Sequence, residues 1–262
     1  MRPVSQAELR LERKGPVQWI TFNRPQARNS LTWTMYEQLR QACEAINGDP
    51  AVRAVVLTGA GGAFVAGTDI SQFGDLRTEE DVLQYEARGS QVMTAIESIR
   101  VPTIAAIAGA CTGAGGIIAC ASDLRIATPS TRFGFPIART LGNCLSMSNY
   151  ARVGMVVGYG RLKQLIIQAR LMDASELLQA GIVSELVDEA SLPERAQQLA
   201  EEVAAHAPLT VWATKETYRR LRDQMVPEGA DRDLVVRCYL SKDFREGVEA
   251  FLAKRTPLWS GD

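Results

Sequence analysis

Two glycine-rich segments carry the clearest chemical signal in the sequence. They are VRAVVLTGAGGAFVAGTDI (Val52–Ile70) and VPTIAAIAGACTGAGGIIACASDL (Val101–Leu124), and each runs from an apolar strand through a glycine-rich turn into a helical stretch. Glycine lets backbone N–H groups face a ligand, and the start of a helix carries partial positive charge. Two such turns that converge on one oxygen atom form an oxyanion hole. The alternative is that the glycines only allow strand and helix to pack closely.

The side chains that titrate narrow the chemistry further. His206 is the only histidine in 262 residues, so histidine-based triads and histidine-rich metal sites have almost nothing to build on. A net charge of −1, from 29 basic and 30 acidic residues, gives no reason to expect nucleic acid or an anionic membrane as a partner. Neither glycine segment contains GxGxxG, because Phe64 and Ile118 occupy the sixth position. The chemistry must therefore use carboxylates, hydroxyls or backbone groups.

The cysteines and the first residues bear on the compartment. The five cysteines are Cys43, Cys111, Cys120, Cys144 and Cys238. Their number is odd and no CxxC pair occurs, which favours buried thiols in a reducing compartment. The opening residues, MRPVSQAELRLERKG, lack the apolar core of a secretory signal. We therefore expect a cytoplasmic protein.

One uncharged stretch is long enough to cross a membrane. Val101–Ser122 contains 22 residues without a charge. However, it also contains Pro102, four glycines and seven alanines, and short side chains bury little apolar area. A buried strand, a tight turn and a buried helix are the better interpretation, so we expect no membrane span.

The elements that must position the glycine turns follow from the apolar patterning. The predicted strands are Leu9–Arg13, Val17–Phe22, Arg53–Thr58, Thr103–Ala108, Leu124–Ala127 and Ile182–Leu186. The predicted helices are one that begins at Thr32, one over Glu79–Arg100 and one near Gly113–Ala121, with a mainly helical pattern after Ser146. Alternating strands and helices predict an α/β core followed by a helical C-terminal part.

Five blocks of the sequence, in order along the chain, resemble the enoyl-CoA hydratase/isomerase (crotonase) superfamily. The blocks are ITFNRPQARNSL (Ile20–Leu31), AFVAGTDI (Ala63–Ile70), IAGACTGAGGIIACASDLRIA (Ile107–Ala127), LMDASELLQAGIVSELV (Leu171–Val187) and DFREGVEAFLAKRTP (Asp243–Pro257). The resemblance implies a crotonase-like spiral of ββα turns over residues 1–195 and a helical C-terminal trimerisation region over residues 196–262. It also implies an acyl-CoA thioester as substrate, a homotrimer or a hexamer made of two trimers, and no cofactor or metal beyond the coenzyme A of the substrate.

The same resemblance assigns the oxyanion hole to backbone groups. The two donors are the N–H groups of Thr68 and Ala114. Thr68 replaces the more common alanine and Ala114 replaces glycine, and both changes are tolerable because main-chain groups perform the function.

Further residues are assigned to substrate or coenzyme A binding by the resemblance. They are Arg24, Arg28, Ala66, Gly67, Asp69, Ile70, Ile117, Ile137, Phe251 and Lys254. Arg28 is a phosphate contact by analogy and by charge, and Phe251 and Lys254 reach the coenzyme A of the same or a neighbouring subunit. The alternative for Arg28 and Lys254 is that of ordinary solvated surface cations.

The sequence departs from the family at the positions that transfer protons. Hydratases of the family use two glutamates, one to remove a proton and one to deliver it. Ile117 and Ile137 stand at those positions, and Ser146 stands where some isomerases carry an aspartate. The whole stretch Ile137–Arg161 contains no Asp or Glu, so no shift of the alignment restores a carboxylate. The usual hydratase mechanism is therefore hard to sustain.

Several other polar residues are candidates to replace the glutamates. Glu86, on the predicted Glu79–Arg100 helix, can reach the acyl pocket from the opposite wall, and burial is expected to raise its pKa toward neutrality. Arg139 can hold an anionic acyl group, although a structural role in the loop or in a trimer ion pair explains it better. Asn143 and Ser146 remain as neutral polar groups. Cys144 lacks a nearby histidine and is better interpreted as a buried thiol.

Three functions remain open at this level. The first is an acyl-CoA enzyme of the hydratase/isomerase type that stabilises a thioester enolate in the oxyanion hole. The second is an acyl-CoA decarboxylase or a thioester hydrolase. The third is a non-catalytic acyl-CoA-binding homologue.

Overall fold

The computed structural model describes residues 7–227 and 229–262, which form two β-sheets surrounded by helices. The strands are β1 (Leu9–Lys14), β2 (Val17–Phe22), β3 (Ala54–Gly59), β4 (Thr103–Ile107), β5 (Ala110–Thr112), β6 (Leu124–Ala127), β7 (Arg132–Gly134) and β8 (Leu171–Asp173). The α-helices are α1 (Trp33–Gly48), α2 (Glu79–Glu97), α3 (Ala114–Ala121), α4 (Ile137–Thr140), α5 (Met147–Val157), α6 (Tyr159–Ile167), α7 (Ala174–Gln179), α8 (Leu192–Ala204), α9 (Pro208–Met225), α10 (Arg232–Tyr239) and α11 (Lys242–Leu252).

The central strands of the larger sheet are buried on both faces. Its strand order is β1-β2-β3-β4-β6, with an antiparallel β1–β2 hairpin and parallel pairing elsewhere. Side chains alternate between the faces of a strand, so Val55 and Leu57 face the main core while Ala54 and Val56 face a second core beneath α8. This explains why the central strands are continuous apolar runs.

A second sheet of three short strands turns the chain into a spiral. Its order is β5-β7-β8, with β5 and β7 parallel. The chain passes from β4 to β5 and then to α3, and again from β6 to β7 and then to α4. Each turn thus contributes one strand to each sheet before its helix, which is the predicted α/β spiral of ββα turns with a helical C-terminal region.

The C-terminal region packs on the spiral core. The buried face of α8, which includes Leu192, Ala196 and Ala200, covers the larger sheet, so the division predicted between residues 195 and 196 falls inside this helix. Helices α9, α10 and α11 follow it. In residues 7–227 and 229–262, no helix is long and apolar enough to cross a membrane.

Two of the predicted elements differ in the structure, and the short strands β5, β7 and β8 were not predicted. The strand predicted over Ile182–Leu186 is wrong: only Leu186 forms an isolated bridge, with Ala127. Ile182 and Val183 are consecutive and both 2% exposed, whereas a half-buried strand alternates. The helix predicted over Glu79–Arg100 ends at Glu97, because Ile99 and Val101 lead into the buried strand β4.

Candidate active site

The two glycine-rich turns lie side by side. Val65 pairs with the β5 segment, since its N–H donates to Ala110 O at 3.0 Å and its carbonyl accepts from Thr112 N at 3.0 Å. Gly67 has φ +115° and Gly113 has φ +53°, so both turns adopt backbone conformations that favour glycine. A Cβ atom added to Gly113 would lie 3.6 Å from the Cα of Gly67, which places the two turns in van der Waals contact.

The residues that follow these glycines present free backbone donors. Within the described part of the chain, neither Thr68 N–H nor Ala114 N–H donates to a protein acceptor. The neighbouring amides are occupied, because Asp69 N donates to Leu31 O at 2.9 Å and Gly113 N donates to a carbonyl of β7 at 3.1 Å. Ala114 is also the first residue of α3, where the helix dipole places partial positive charge. Two unused N–H groups on adjacent turns have the arrangement needed to bind an oxyanion.

Thr68 and Ala114 both line a cavity of about 1050 Å³. The predicted site residues that line it are Arg28, Ala66, Gly67, Thr68, Asp69, Ile70, Glu86, Ala114, Ile117, Ile137, Asn143, Phe251 and Lys254. The predicted residues that do not line it are Arg24, Arg139 and Ser146. The cavity thus brings together residues from the first block, the two glycine turns and the tail.

Arg24 and Asp69 form an internal ion pair. Arg24 Nη2 lies 3.0 Å from Asp69 Oδ2, and its Nε lies 3.1 Å from Glu8 Oε1. Asp69 also accepts from Ser71 N at 3.2 Å, which caps the 3₁₀ turn Ile70–Asp75. Partial burial raises the pKa of Asp69, but the hydrogen bonds from Ser71 and Arg24 outweigh it and hold the pKa below its ordinary value. These contacts support a structural role for both residues.

Arg139 points away from the cavity. It lies on α4, a single helical turn in which Ile137 is buried and lines the cavity. Residues two apart on a helix face nearly opposite sides, so Arg139 is exposed. The structure therefore does not bring this guanidinium to an acyl group.

Glu86 enters the cavity from α2. The helix begins with a capping box in which Thr78 and Asp81 bond each other's backbone N–H. One face of the helix then runs through Val82, which is buried, to the cavity-lining residues Tyr85, Glu86, Gly89 and Met93. The cavity is lined by two carboxylates among the described residues, and Glu86 is the one without an ion pair.

Hydrogen bonds and burial determine the acidity of Glu86. Tyr239 Oη donates to Glu86 Oε1 at 3.0 Å, and Asn143 Nδ2 donates to Tyr239 Oη at 3.0 Å. Burial raises the pKa of Glu86 to about 7, against the lowering effect of hydrogen bonds from Tyr239 and Ser146. A carboxyl group with this pKa can accept or donate a proton near neutral pH.

Comparison with known proteins agrees with this geometry. The family model for enoyl-CoA hydratase/isomerase matches residues 12–262. The chain is 33% identical to a short-chain-enoyl-CoA hydratase of Clostridium acetobutylicum over 248 residues, covering 94% of each chain.

The chain belongs to the enoyl-CoA hydratase/isomerase family.

Solved structures of the family share the fold. An enoyl-CoA hydratase/carnithine racemase from Magnetospirillum magneticum matches with a TM-score of 0.79 and 31% identity, over 98% of this chain and 97% of that one. A methylmalonyl-CoA decarboxylase in complex with 2-nitronate-propionyl-CoA matches with a TM-score of 0.88 and 26% identity, over 98% and 100%. The protein is therefore an acyl-CoA enzyme of this family.

The two isoleucines at the positions where the resemblance implies glutamates form part of the cavity wall. Ile117 lies on α3 and Ile137 on α4, and each is 6% exposed. An apolar wall at these positions can pack against an acyl chain but cannot bind or deprotonate a water molecule. The structure brings Ser146 within hydrogen-bonding reach of Glu86, although Ser146 itself does not line the cavity.

Sequence reasoning missed three tyrosines around this family site. Tyr36 Oη lies 2.8 Å from Thr68 Oγ1, and Tyr85 and Tyr239 line the cavity beside Glu86. Burial raises the pKa of Tyr36 to about 12, so its phenol stays neutral. In the sequence these tyrosines resemble ordinary core residues. The one indication in the sequence was Thr68, because a hydroxyl group inside the site needs a hydrogen-bond partner such as a tyrosine.

Proposed function

We propose that the protein catalyses proton transfer at the α-carbon of an acyl-CoA thioester, as an enoyl-CoA isomerase does. The observation that carries the proposal is one cavity that contains two free backbone donors and one carboxylate without an ion pair. Thr68 N–H and Ala114 N–H would bind the thioester oxygen, and Glu86 would act as the base.

The reaction needs one carboxylate that performs two proton transfers, first as a base and then as an acid. Hydrogen bonds to the thioester oxygen stabilise the enolate, which makes the α-hydrogen acidic enough for Glu86 to remove. When the substrate carries a double bond between its β- and γ-carbons, the electron pair moves along the chain. Glu86 then returns the proton to the γ-carbon, and the double bond ends next to the thioester. Hydration, in contrast, uses two carboxylates on one water, and Ile117 and Ile137 provide neither.

A decarboxylase is the second candidate, because the methylmalonyl-CoA decarboxylase structure has a TM-score of 0.88 with this chain. In that reaction loss of carbon dioxide leaves the same enolate in the same oxyanion hole. Protonated Glu86 would then donate its proton to the α-carbon, and no base is required.

The rest of the substrate is proposed to follow the family arrangement. Arg28 and Lys254 would bind the phosphates of coenzyme A, Phe251 would pack near its adenine end, and no resident cofactor would take part. Both cations line the cavity, which supports their role. We further propose a homotrimer or a dimer of trimers, and a cytoplasmic location that the five free thiols support.

A panel of acyl-CoA thioesters in heavy water tests the proposed reaction. NMR should show deuterium entering at the α-carbon of both 3-enoyl and saturated acyl-CoAs. In the 3-enoyl substrates it should also show the double bond shifting. Glu86→Gln should lower both rates by about 10²- to 10⁴-fold. Glu80→Gln is the matched control, because Glu80 is exposed on the same helix and should retain activity.

Other results of the panel point elsewhere. Full exchange in Glu86→Gln, or crotonyl-CoA hydration at rates typical of the family, would overturn the single-carboxylate mechanism. Carbon dioxide release from a carboxyacyl-CoA would favour the decarboxylase, and loss of thioester absorbance would favour a hydrolase. Binding without any turnover across the panel would indicate a non-catalytic homologue.

A further inference from the structure

We propose that Asn143 and Tyr239 form a positioning relay that holds Glu86 as the active base, an inference that rests on the proposed role of Glu86. Neither residue has to touch the reacting carbon for this purpose. Tyr239 would orient the carboxylate by its hydrogen bond, and Asn143 would hold the Tyr239 hydroxyl in the donating orientation.

The direction of the relay is fixed by chemistry. An ionised carboxylate only accepts hydrogen bonds, so Tyr239 must be the donor at 3.0 Å from Glu86 Oε1. The phenol oxygen can then accept from Asn143, which it does from Nδ2 at 3.0 Å. The chain of donors runs from Asn143 through Tyr239 to Glu86, and every bond in it favours the charged form of Glu86.

The orientation of the Asn143 amide supports a specific role. With Nδ2 turned toward Tyr239, Asn143 Oδ1 is buried and has no hydrogen-bond partner in residues 7–227 and 229–262. A buried acceptor without a partner is unfavourable, and most buried polar atoms avoid that state. An aliphatic side chain would fill the space without this penalty. The amide is explained by what its nitrogen does for Tyr239.

Aromatic packing holds Tyr239 in place. The residue is 2% exposed, and its ring lies 4.9 Å from the Phe244 ring and 5.5 Å from the Tyr85 ring, measured between centroids. Its helix, α10, packs against α2, which carries Glu86. The donor and the acceptor therefore sit on two elements that are fixed relative to each other.

Several groups face Glu86 and influence its charge, and the hydrogen-bond relay is the influence that a single substitution can remove. They are Tyr36 from α1, Tyr85 from α2, Tyr239 and Asp231 from α10 and its N-terminus, and Ser146 and Cys144 from the loop before α5. The phenols and the Cys144 thiol have raised pKa values and are neutral near pH 7, whereas the charge of Asp231 disfavours ionisation of Glu86. Tyr239 opposes that effect by donating a hydrogen bond, and Ser146 also lowers the pKa of Glu86.

The pH profile of kcat/KM tests the relay in Tyr239→Phe. Phenylalanine keeps the ring packing and removes only the hydrogen-bond donor, so the ionised form of Glu86 is less stable relative to the protonated form. The midpoint of the kcat/KM pH profile should therefore move to higher pH by about one unit. Tyr36→Phe is the matched control: it removes a phenol from the same cavity that does not bond Glu86, so its midpoint should stay at the wild-type value. Asn143→Leu should shift the midpoint in the same direction as Tyr239→Phe, but less.

A second measurement does not depend on turnover. The infrared C=O band of protonated Glu86, identified by its absence in Glu86→Gln, should persist to higher pH in substrate-free Tyr239→Phe than in wild type. If Glu86→Gln is inactive while the Tyr239→Phe midpoint and band stay unchanged, the relay is wrong and the proposed function stands. If Glu86→Gln is fully active, the proposed function itself fails.

Discussion

At the level of single residues, the sequence indicated Glu86 and its burial but not its hydrogen-bond partners. Thr68 and Ala114 could be proposed as oxyanion donors because a glycine precedes each of them in the sequence. Tyr239 could not be linked to Glu86, because the two residues lie 153 positions apart. Arg139 attracted attention through its charge, and only the helical turn of α4 shows that it faces outward.

The acidity of Glu86 predicts the direction of the pH dependence. With a pKa of about 7, the base is ionised above neutrality, so kcat/KM for isomerisation should fall about tenfold per pH unit below 7 and level off above it. A decarboxylase that uses protonated Glu86 should show the reverse slope. Initial rates between pH 5 and pH 9, with enzyme stability checked at each pH, distinguish the two.

The same carboxyl group should weaken the fold when it ionises. Its pKa rises from 4.5 to about 7 on folding, so its stabilising contribution is complete below pH 4.5 and is lost as the pH rises through 7. Glu86→Gln should therefore increase the free energy of unfolding at pH 8 by about 1 to 3 kcal/mol and change it little at pH 4. Urea denaturation at both pH values measures this, and an equal effect at both would contradict it.

The oxyanion hole can be tested by removing one N–H group. Ala114 occupies the first position of α3, where proline is tolerated. Ala114→Pro should keep the fold and lower kcat by about 10²- to 10³-fold. Ala114→Gly retains the donor and serves as the control. Steady-state kinetics with an unchanged circular dichroism spectrum would support the assignment, and near-normal kcat in the proline variant would remove Ala114 from the site.

At the level of elements, the length of each strand or helix determined whether its apolar pattern could be recognised in the sequence. The parallel strands β3 and β4 and the helices α1 and α2 have enough residues for their apolar pattern to be recognised. The strands β5, β7 and β8 have three residues each, which is too short for any period. Yet this small sheet holds the turn that leads to Ala114, so an element that shapes the cavity was the least visible in the sequence.

Close packing between α11 and the loop that carries Asn143 gives a prediction about stability. A Cβ atom at Gly247 would lie 2.5 Å from the carbonyl oxygen of Leu141, so Gly247→Ala must displace that loop. We expect a loss of about 1 to 3 kcal/mol of unfolding free energy and a lower kcat. Gly160→Ala is the control, because that helical position faces open space and alanine should be neutral or slightly stabilising. Urea denaturation of both variants measures the difference.

At the level of the whole molecule, α9 exposes several large apolar side chains. Its exposed side chains include Leu209 at 76%, Trp212 at 50%, Tyr218 at 60% and Leu221 at 49%. Such a group on one helix is typical of a protein–protein contact. We expect light scattering to give three or six times the 28.6 kDa mass of the chain. Replacing Trp212 and Leu221 by glutamate should reduce it, whereas Leu11→Glu, on exposed β1, should not.

The separation of Glu86 and Tyr239 along the chain also constrains when the protein becomes functional during its synthesis. The ribosome completes the glycine turns and the larger sheet well before α10 emerges. Until that helix docks, Glu86 lacks its hydrogen-bond donor and one wall of its cavity, and so is more solvated and more acidic. A nascent chain can thus hold both glycine turns before the surroundings of Glu86 are complete. Under the proposed mechanism, maturation of the site is coupled to the last stage of folding.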